Sequence, residues 1–314
     1  MNPKKLNRRE FLERAAVAAG VLALASTGGR QVHAAAGDSA GAVAAAGAKR
    51  TVSDIVPLGN TGLKCSRLGL GLGSNNGQIQ ADLGQEGFNA FIKHAFDQGV
   101  TMFDTAQNYR TYRMLGAAIK GLPREKIFIQ SKIERPGDIL QTIDSHRKTF
   151  NTDYVDSMLV HIQFKDNWTE TWKQAMDDFN AAREKKWILS KGVSCHSLPA
   201  LRAAVASDWT QVHLVRVNPQ GIRIDSEQQV SWGGGVNDIQ PVLGELKKMK
   251  EKNRAVIGMK IFGNGEFKTD ADREKSARFA MSLPEIDAVI IGFSGVEQLD
   301  SGVKLLNKVL AEAA

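Results

Sequence analysis

The sequence predicts an α/β chain folded as a (β/α)₈ TIM barrel, with an N-terminal β-hairpin capping the barrel floor. Three observations carry that expectation. From Val52 onward, short apolar runs alternate with segments of helical period, the pattern of βα units around a parallel sheet. Eight such runs can be counted, whereas an open doubly wound sheet usually has fewer strands. The chain has 314 residues, room for a barrel of about 250 residues and an extra segment.

The extra segment comes first. Residues 7–13 read Asn-Arg-Arg-Glu-Phe-Leu-Glu, close to the twin-arginine export pattern of paired arginines, a spacer, Phe and Leu. An apolar run from Ala15 to Ala25 follows, too short to span a bilayer as a mature helix. Small residues then offer a cleavage site around Val32-His33-Ala34 or Ala34-Ala35-Ala36. Residues 1–36 are therefore expected to be a twin-arginine signal peptide, and residues 37–50, rich in Ala and Gly, a flexible linker. An amphipathic N-terminal helix or an uncleaved anchor are the other readings of this stretch. Export through the twin-arginine machinery implies a periplasmic or otherwise exported protein, with no transmembrane helix in the mature chain.

Residues 51–314 are the barrel. A glycine-punctuated segment, Val56 to Leu68 with Asn60-Thr61-Gly62, reads as the hairpin. The eight strand runs are Leu68–Gly73, Met102–Ala106, Ile127–Ile133, Ser157–Gln163, Gly192–His196, Leu214–Asn218, Ala255–Phe262 and Ala288–Phe293. Helical period is clearest over Glu86–Gln98, Trp168–Lys185 and Val242–Lys252. No Gly-x-Gly-x-x-Gly opens a helix after the first run, which argues against a Rossmann sheet.

Composition excludes several classes of function. Hydrophobic residues are 42% and charged residues 24%, ordinary for a globular protein. Of the net charge of +7, +4 falls in residues 1–36; the rest carries no basic stripe, so nucleic acid is not an expected partner. The two cysteines, Cys65 and Cys195, form no metal or disulfide pattern. His196 and His213 could join His161 as metal ligands, but no His-x-His follows the first strand and no metal is expected.

Reactive groups of a parallel barrel belong at the C-terminal ends of its strands. Asp104 ends the second run, Tyr109 follows in its loop, Lys132 ends the third and His161 the fourth. Neighbouring strands would bring these four to one mouth. Each has a plain reading as well. Asp104 could cap a helix, Tyr109 could pack, and His161 could sit in the core. Lys132 could be solvated, or act as a Schiff-base nucleophile.

Phe103-Asp104-Thr105-Ala106-Gln107-Asn108-Tyr109 with Leu115-Gly116 resembles the Asp-Thr-Ala-x-x-Tyr signature of the aldo-keto reductases. Gln130-Ser131-Lys132, Leu159-Val160-His161, Gly192-Val193-Ser194 and Ile290-Ile291-Gly292 with Val296–Leu299 resemble later family motifs in the same order. The resemblance implies hydride transfer between a nicotinamide and a small-molecule carbonyl or alcohol. Tyr109 would give the proton and Asp104 would hold Lys132. His161 would bind the substrate oxygen. A lysine ammonium at about 4 Å would lower the phenol's pKa from its ordinary value of about 10.

For the cofactor, the resemblance points to Ser194 and Cys195, to Lys260 and Phe262 at the end of the seventh run, and to Gly292, Phe293, Ser294 and Gln298 from the end of the eighth onward. Cys195 replaces a usual Asn. Leu214 and Val217 stand where the family often has Gln and a stacking aromatic. Family habit favours NADP(H) over NAD(H). The loop Trp232-Gly233-Gly234-Gly235 reads either as a flap whose indole walls the site or as plain surface. Two other functions remain open: a non-catalytic barrel that retains a cofactor, and a Lys132 Schiff-base aldolase.

Overall fold

A computed structural model describes residues 50–233 and 235–313. The export-signal and linker readings lie outside the described residues, apart from Arg50. Ten strands are present. β1 (Ile55–Pro57) and β2 (Lys64–Ser66) form an antiparallel hairpin. Eight more close in parallel: β3 (Leu68–Gly71), β4 (Met102–Asp104), β5 (Phe128–Ile133), β6 (Val155–Gln163), β7 (Ile188–Cys195), β8 (Val212–Arg216), β9 (Ala255–Met259) and β10 (Ala288–Ile291). Their order around the barrel is sequential, with β10 returning to β3.

Side chains alternate along a strand, so each barrel strand sends one set inward and one outward. Met102, Phe128, Leu159, Val212, Leu214, Ile257 and Ile290 fill the barrel with Val56, Leu58 and Cys65 of the hairpin segment. That shared cluster makes the hairpin the barrel's floor. Its turn is fixed by close approach: Asn60 N donates to Asn253 O at 2.8 Å, and a Cβ on Gly59 would stand 2.4 Å from Ala255 N.

The outward set packs beneath helices. The longer ones are α1 (Gly84–Asp97), α2 (Ile139–Thr149), α3 (Lys173–Glu184), α4 (Leu198–Ala206), α5 (Gln240–Glu251), α6 (Asp270–Ser282) and α7 (Val296–Glu312). Sequence sets their starts. Asp138 accepts from Gln141 N before α2, Ser197 from Ala200 N before α4, and Thr269 from Asp272 N before α6. No helix among the described residues is long and apolar enough to cross a membrane.

Of the departures from expectation, two have a visible cause in the packing. The helix expected over Trp168–Lys185 breaks at Trp172 into Trp168–Thr171 and α3. Both indoles are buried there, and Trp168 Nε1 donates to Ala200 O at 3.1 Å. The fifth barrel strand begins at Ile188, four residues before the expected start. Lys191 hides that start: its stem is half-buried and its ammonium lies 5.1 Å from the Trp209 ring.

Candidate active site

The inward set ends, at the C-terminal mouth, in polar residues. On β4 and β5 the inward series Met102, Asp104 and Phe128, Gln130, Lys132 place a carboxylate, an amide and an ammonium side by side. Lys132 Nζ donates to both Asp104 oxygens, at 2.6 and 2.7 Å, and to Thr105 O at 2.8 Å. Gln130 Nε2 adds a fourth restraint, donating to Asp104 Oδ1 at 2.9 Å. Asp104 and Lys132 are 3% and 1% exposed, so the pair depends on these bonds to be tolerated. Burial pulls the Lys132 ammonium below its ordinary value, against the pull of Asp104.

Tyr109 reaches the same place from the loop after β4. Its hydroxyl lies 3.3 Å from His161 Nε2, and its ring centroid lies 5.2 Å from Lys132 Nζ. Gly73, next inward after Gly69 and Gly71, makes room for it. A Cβ there would stand 2.4 Å from Cε2 and Cζ of the phenol ring. His161 is buried, and its Nδ1 has no hydrogen-bond partner among the described residues. A proton on Nε2 therefore gives the ring its one polar partner and aims an N–H at the mouth. Burial, then Lys132 and Lys260, hold this imidazole neutral, well below its ordinary pKa.

One electrostatic expectation is reversed. Lys132 does not lower the phenol of Tyr109: burial pushes it up, and the carboxylates of Asp104 and Glu134 add to the rise. Asp104, at 2.6 Å, cancels most of the ammonium's field before it reaches the ring. The phenol meets an ion pair, not a free cation.

The expected cofactor residues divide into two groups. Ser194 is buried on the inward pleat of β7, as is Gly192, whose Cβ position meets Leu159. Lys260 follows β9 with φ 59°, and Asn264 Oδ1 accepts from its Nζ at 2.6 Å. It makes no ion pair among the described residues. Burial lowers it to about 8, with Arg216, Arg223 and Lys132 adding to the effect. Gly292, Ser294 and Gln298 are exposed around the start of α7, where Ser294 N donates to Gln298 Oε1 at 2.6 Å. An unpaired lysine and a helix N-terminus suit a diphosphate.

The other group faces elsewhere. Cys195 and Phe293 are buried in the apolar layer under the helices, Phe293 against Gly302, and Phe262 packs on that layer. Of Cys195 and Phe293, only the backbones are left to meet a cofactor. Phe293 and Gln298 also supply no cation for a 2′-phosphate. His213 points to the opposite face of β8 from Leu214, so it cannot join His161 at the mouth.

Sequence reasoning missed Arg216, which follows Val212 and Leu214 on the inward face of β8. Arg216 lies in the mouth, 3.4 Å from buried Asp225, and donates to Arg223 O and Ser231 O, both at 3.2 Å. His196, read earlier only as a possible metal ligand, holds Ser231 O through Nδ1 at 2.8 Å.

Comparison with known proteins identifies the family. The model of the aldo/keto reductase family matches residues 67–277. The chain belongs to that family. It is 30% identical to L-galactose dehydrogenase of Arabidopsis thaliana, over 82% of this chain and 90% of that one. A probable aldo-keto reductase of Glycine max is 40% identical over a shorter stretch, 24% of this chain and 23% of the relative's length. The match to 2,5-diketo-D-gluconic acid reductase B of a Corynebacterium is 30% identical and spans 45% of that protein. Among solved structures, the holo form of an aldo-keto reductase from Bacillus halodurans superposes with a TM-score of 0.64. It is 14% identical and covers 83% of this chain and 96% of its own.

Proposed function

We propose that the protein is an NAD(P)H-dependent aldo-keto reductase in which Tyr109 exchanges a proton with the oxygen of a small carbonyl or alcohol substrate. Family membership supports carbonyl reduction in general. The observation that carries the residue roles is the Tyr109 hydroxyl at 3.3 Å from His161 Nε2, next to the buried Asp104–Lys132 pair.

The bound nicotinamide supplies the hydride; the chain supplies placement and the proton. A carbonyl oxygen between Tyr109 and His161 accepts one hydrogen bond from the phenol and one from Nε2–H. As negative charge grows on that oxygen, the phenol's proton passes to it along the existing bond. Lys132 and Asp104 hold their own geometry against this change and fix the floor on which the phenol rests. Ser194 would hold the nicotinamide end, and Lys260 with the start of α7 would hold the diphosphate. NADP(H) is proposed over NAD(H) on the family's habit.

A Schiff base at Lys132 is disfavoured by geometry. All three ammonium protons are donated to Asp104 and Thr105, whereas a nucleophilic amine needs a free lone pair. We further propose that residues 1–36 direct export by the twin-arginine route to the periplasm, on the strength of Arg8-Arg9-Glu10-Phe11-Leu12. Replacing both arginines by lysine should keep the protein in the cytoplasm.

The deciding experiment is a titration of purified protein with NADPH and NADH, followed by a panel of aldehydes and ketones. Tight nucleotide binding and carbonyl-dependent oxidation are expected. Borohydride trapping of a carbonyl on Lys132, without nucleotide oxidation, would establish the aldolase instead.

A further inference from the structure

We infer that Trp232 is a ligand-contacting residue of the mouth, whose indole face receives the nicotinamide end of the dinucleotide. This rests on the hydride-transfer reading above and deepens it. Trp232 is 61% exposed, on the long loop between β8 and α5. An exposed indole on a glycine-rich loop would ordinarily be mobile surface. Here the residue before it is fixed from below: Ser231 O accepts from His196 Nδ1 at 2.8 Å and from Arg216 Nη2 at 3.2 Å. Arg216 also holds Arg223 O and faces Asp225, so both arms of the loop are tied to one buried ion pair.

That anchoring sets the indole across the mouth. Its ring centroid lies 5.6 Å from that of His196, at the end of β7, two residues past Ser194. Lys260 Nζ, just past β9, sits over the indole, 5.8 Å from the ring centroid. The indole thus bridges two strand ends above β8, with an inward serine at one and a lysine lacking a carboxylate partner at the other. The matching ligand is a planar heteroaromatic ring joined to an anion. A dinucleotide has both parts in one molecule; a small carbonyl substrate needs neither. The exposed face is the stacking surface, and Lys260 meets the adjoining diphosphate.

Iodide quenching of tryptophan emission reads this contact without turnover. Trp168 and Trp172 are buried and Trp187 and Trp209 half-buried, so Trp232 should dominate the iodide-accessible fraction. Saturating NADP⁺ or NAD⁺, and nicotinamide mononucleotide, should remove that fraction, while AMP leaves it open. Trp232→Phe should lack the fraction from the start and keep binding within severalfold. Trp232→Ala should weaken nucleotide binding about tenfold, the scale of a lost stacking partner. Calorimetric binding of nucleotide with Trp232 still open to iodide, or shielding by AMP alone, overturns the assignment and leaves the reductase reading standing. A protein that binds no nucleotide at all overturns both.

Discussion

The ring of Tyr109 lies directly against the backbone of Gly73, with Cε2 and Cζ 2.4 Å from where a Cβ would stand. The first barrel strand therefore sets the height of the phenol above the mouth, and only a glycine allows it. Gly73→Ala must push the ring off His161. Carbonyl turnover should fall about 100-fold, the cost of misplacing a reacting group by about 1 Å, while nucleotide affinity stays unchanged. Steady-state kinetics beside calorimetry separate the two.

The Asp104–Lys132 pair should be costly to break from one side. Asp104→Asn leaves a buried ammonium without its counter-charge, and about 3–5 kcal/mol of stability should be lost. Combining it with Lys132→Met removes the orphaned charge and should recover much of that loss without recovering activity. Urea denaturation of the natural protein and the two variants gives the answer.

Nucleotide affinity should depend on the charge of Lys260. Burial brings its pKa down to about 8, helped by Arg216, Arg223 and Lys132 and opposed by Asp104. Below that value the ammonium attracts the diphosphate; above it the attraction is lost. The dissociation constant should therefore rise as pH climbs through about 8 and beyond, since a bound anion stabilises the ammonium. In Lys260→Met it should be weaker at neutral pH and nearly flat across the same range.

Acid should destabilise the fold through His213. This imidazole is fully buried with no partner for either nitrogen among the described residues, and burial brings its pKa from 6.5 to about 3. The unfolded chain takes up a proton below about 6.5 and the folded one does not. Stability from this group is thus complete above 6.5 and falls towards pH 3, by up to about 1.4 kcal/mol per pH unit. Melting temperatures of His213→Leu should drop less between neutral pH and pH 5 than those of the natural protein.

Much of this architecture is legible in the residues, because a parallel barrel buries its strands on both faces and writes them as apolar runs. Met102–Asp104 and Phe128–Lys132 could be followed from pattern to mouth without coordinates. Lys191 concealed the start of β7, since a snorkelling lysine interrupts the apolar signal while its stem stays packed. Arg216 could have been found: two inward apolar residues precede it at the strand's period. Asp225 could not, because its place opposite Arg216 depends on the path of an irregular loop. The phenol's raised pKa was equally hidden, since it depends on how closely Asp104 screens Lys132.

The proposed reaction turns on Tyr109 giving up a proton to a carbonyl oxygen held by His161. Tyr109→Phe keeps the ring on Gly73 and removes only the hydroxyl. NAD(P)H oxidation driven by a carbonyl substrate should then fall by about 100-fold or more, the usual share of a general acid, with the nucleotide dissociation constant unchanged within about twofold. Undiminished turnover in that variant would contradict the account.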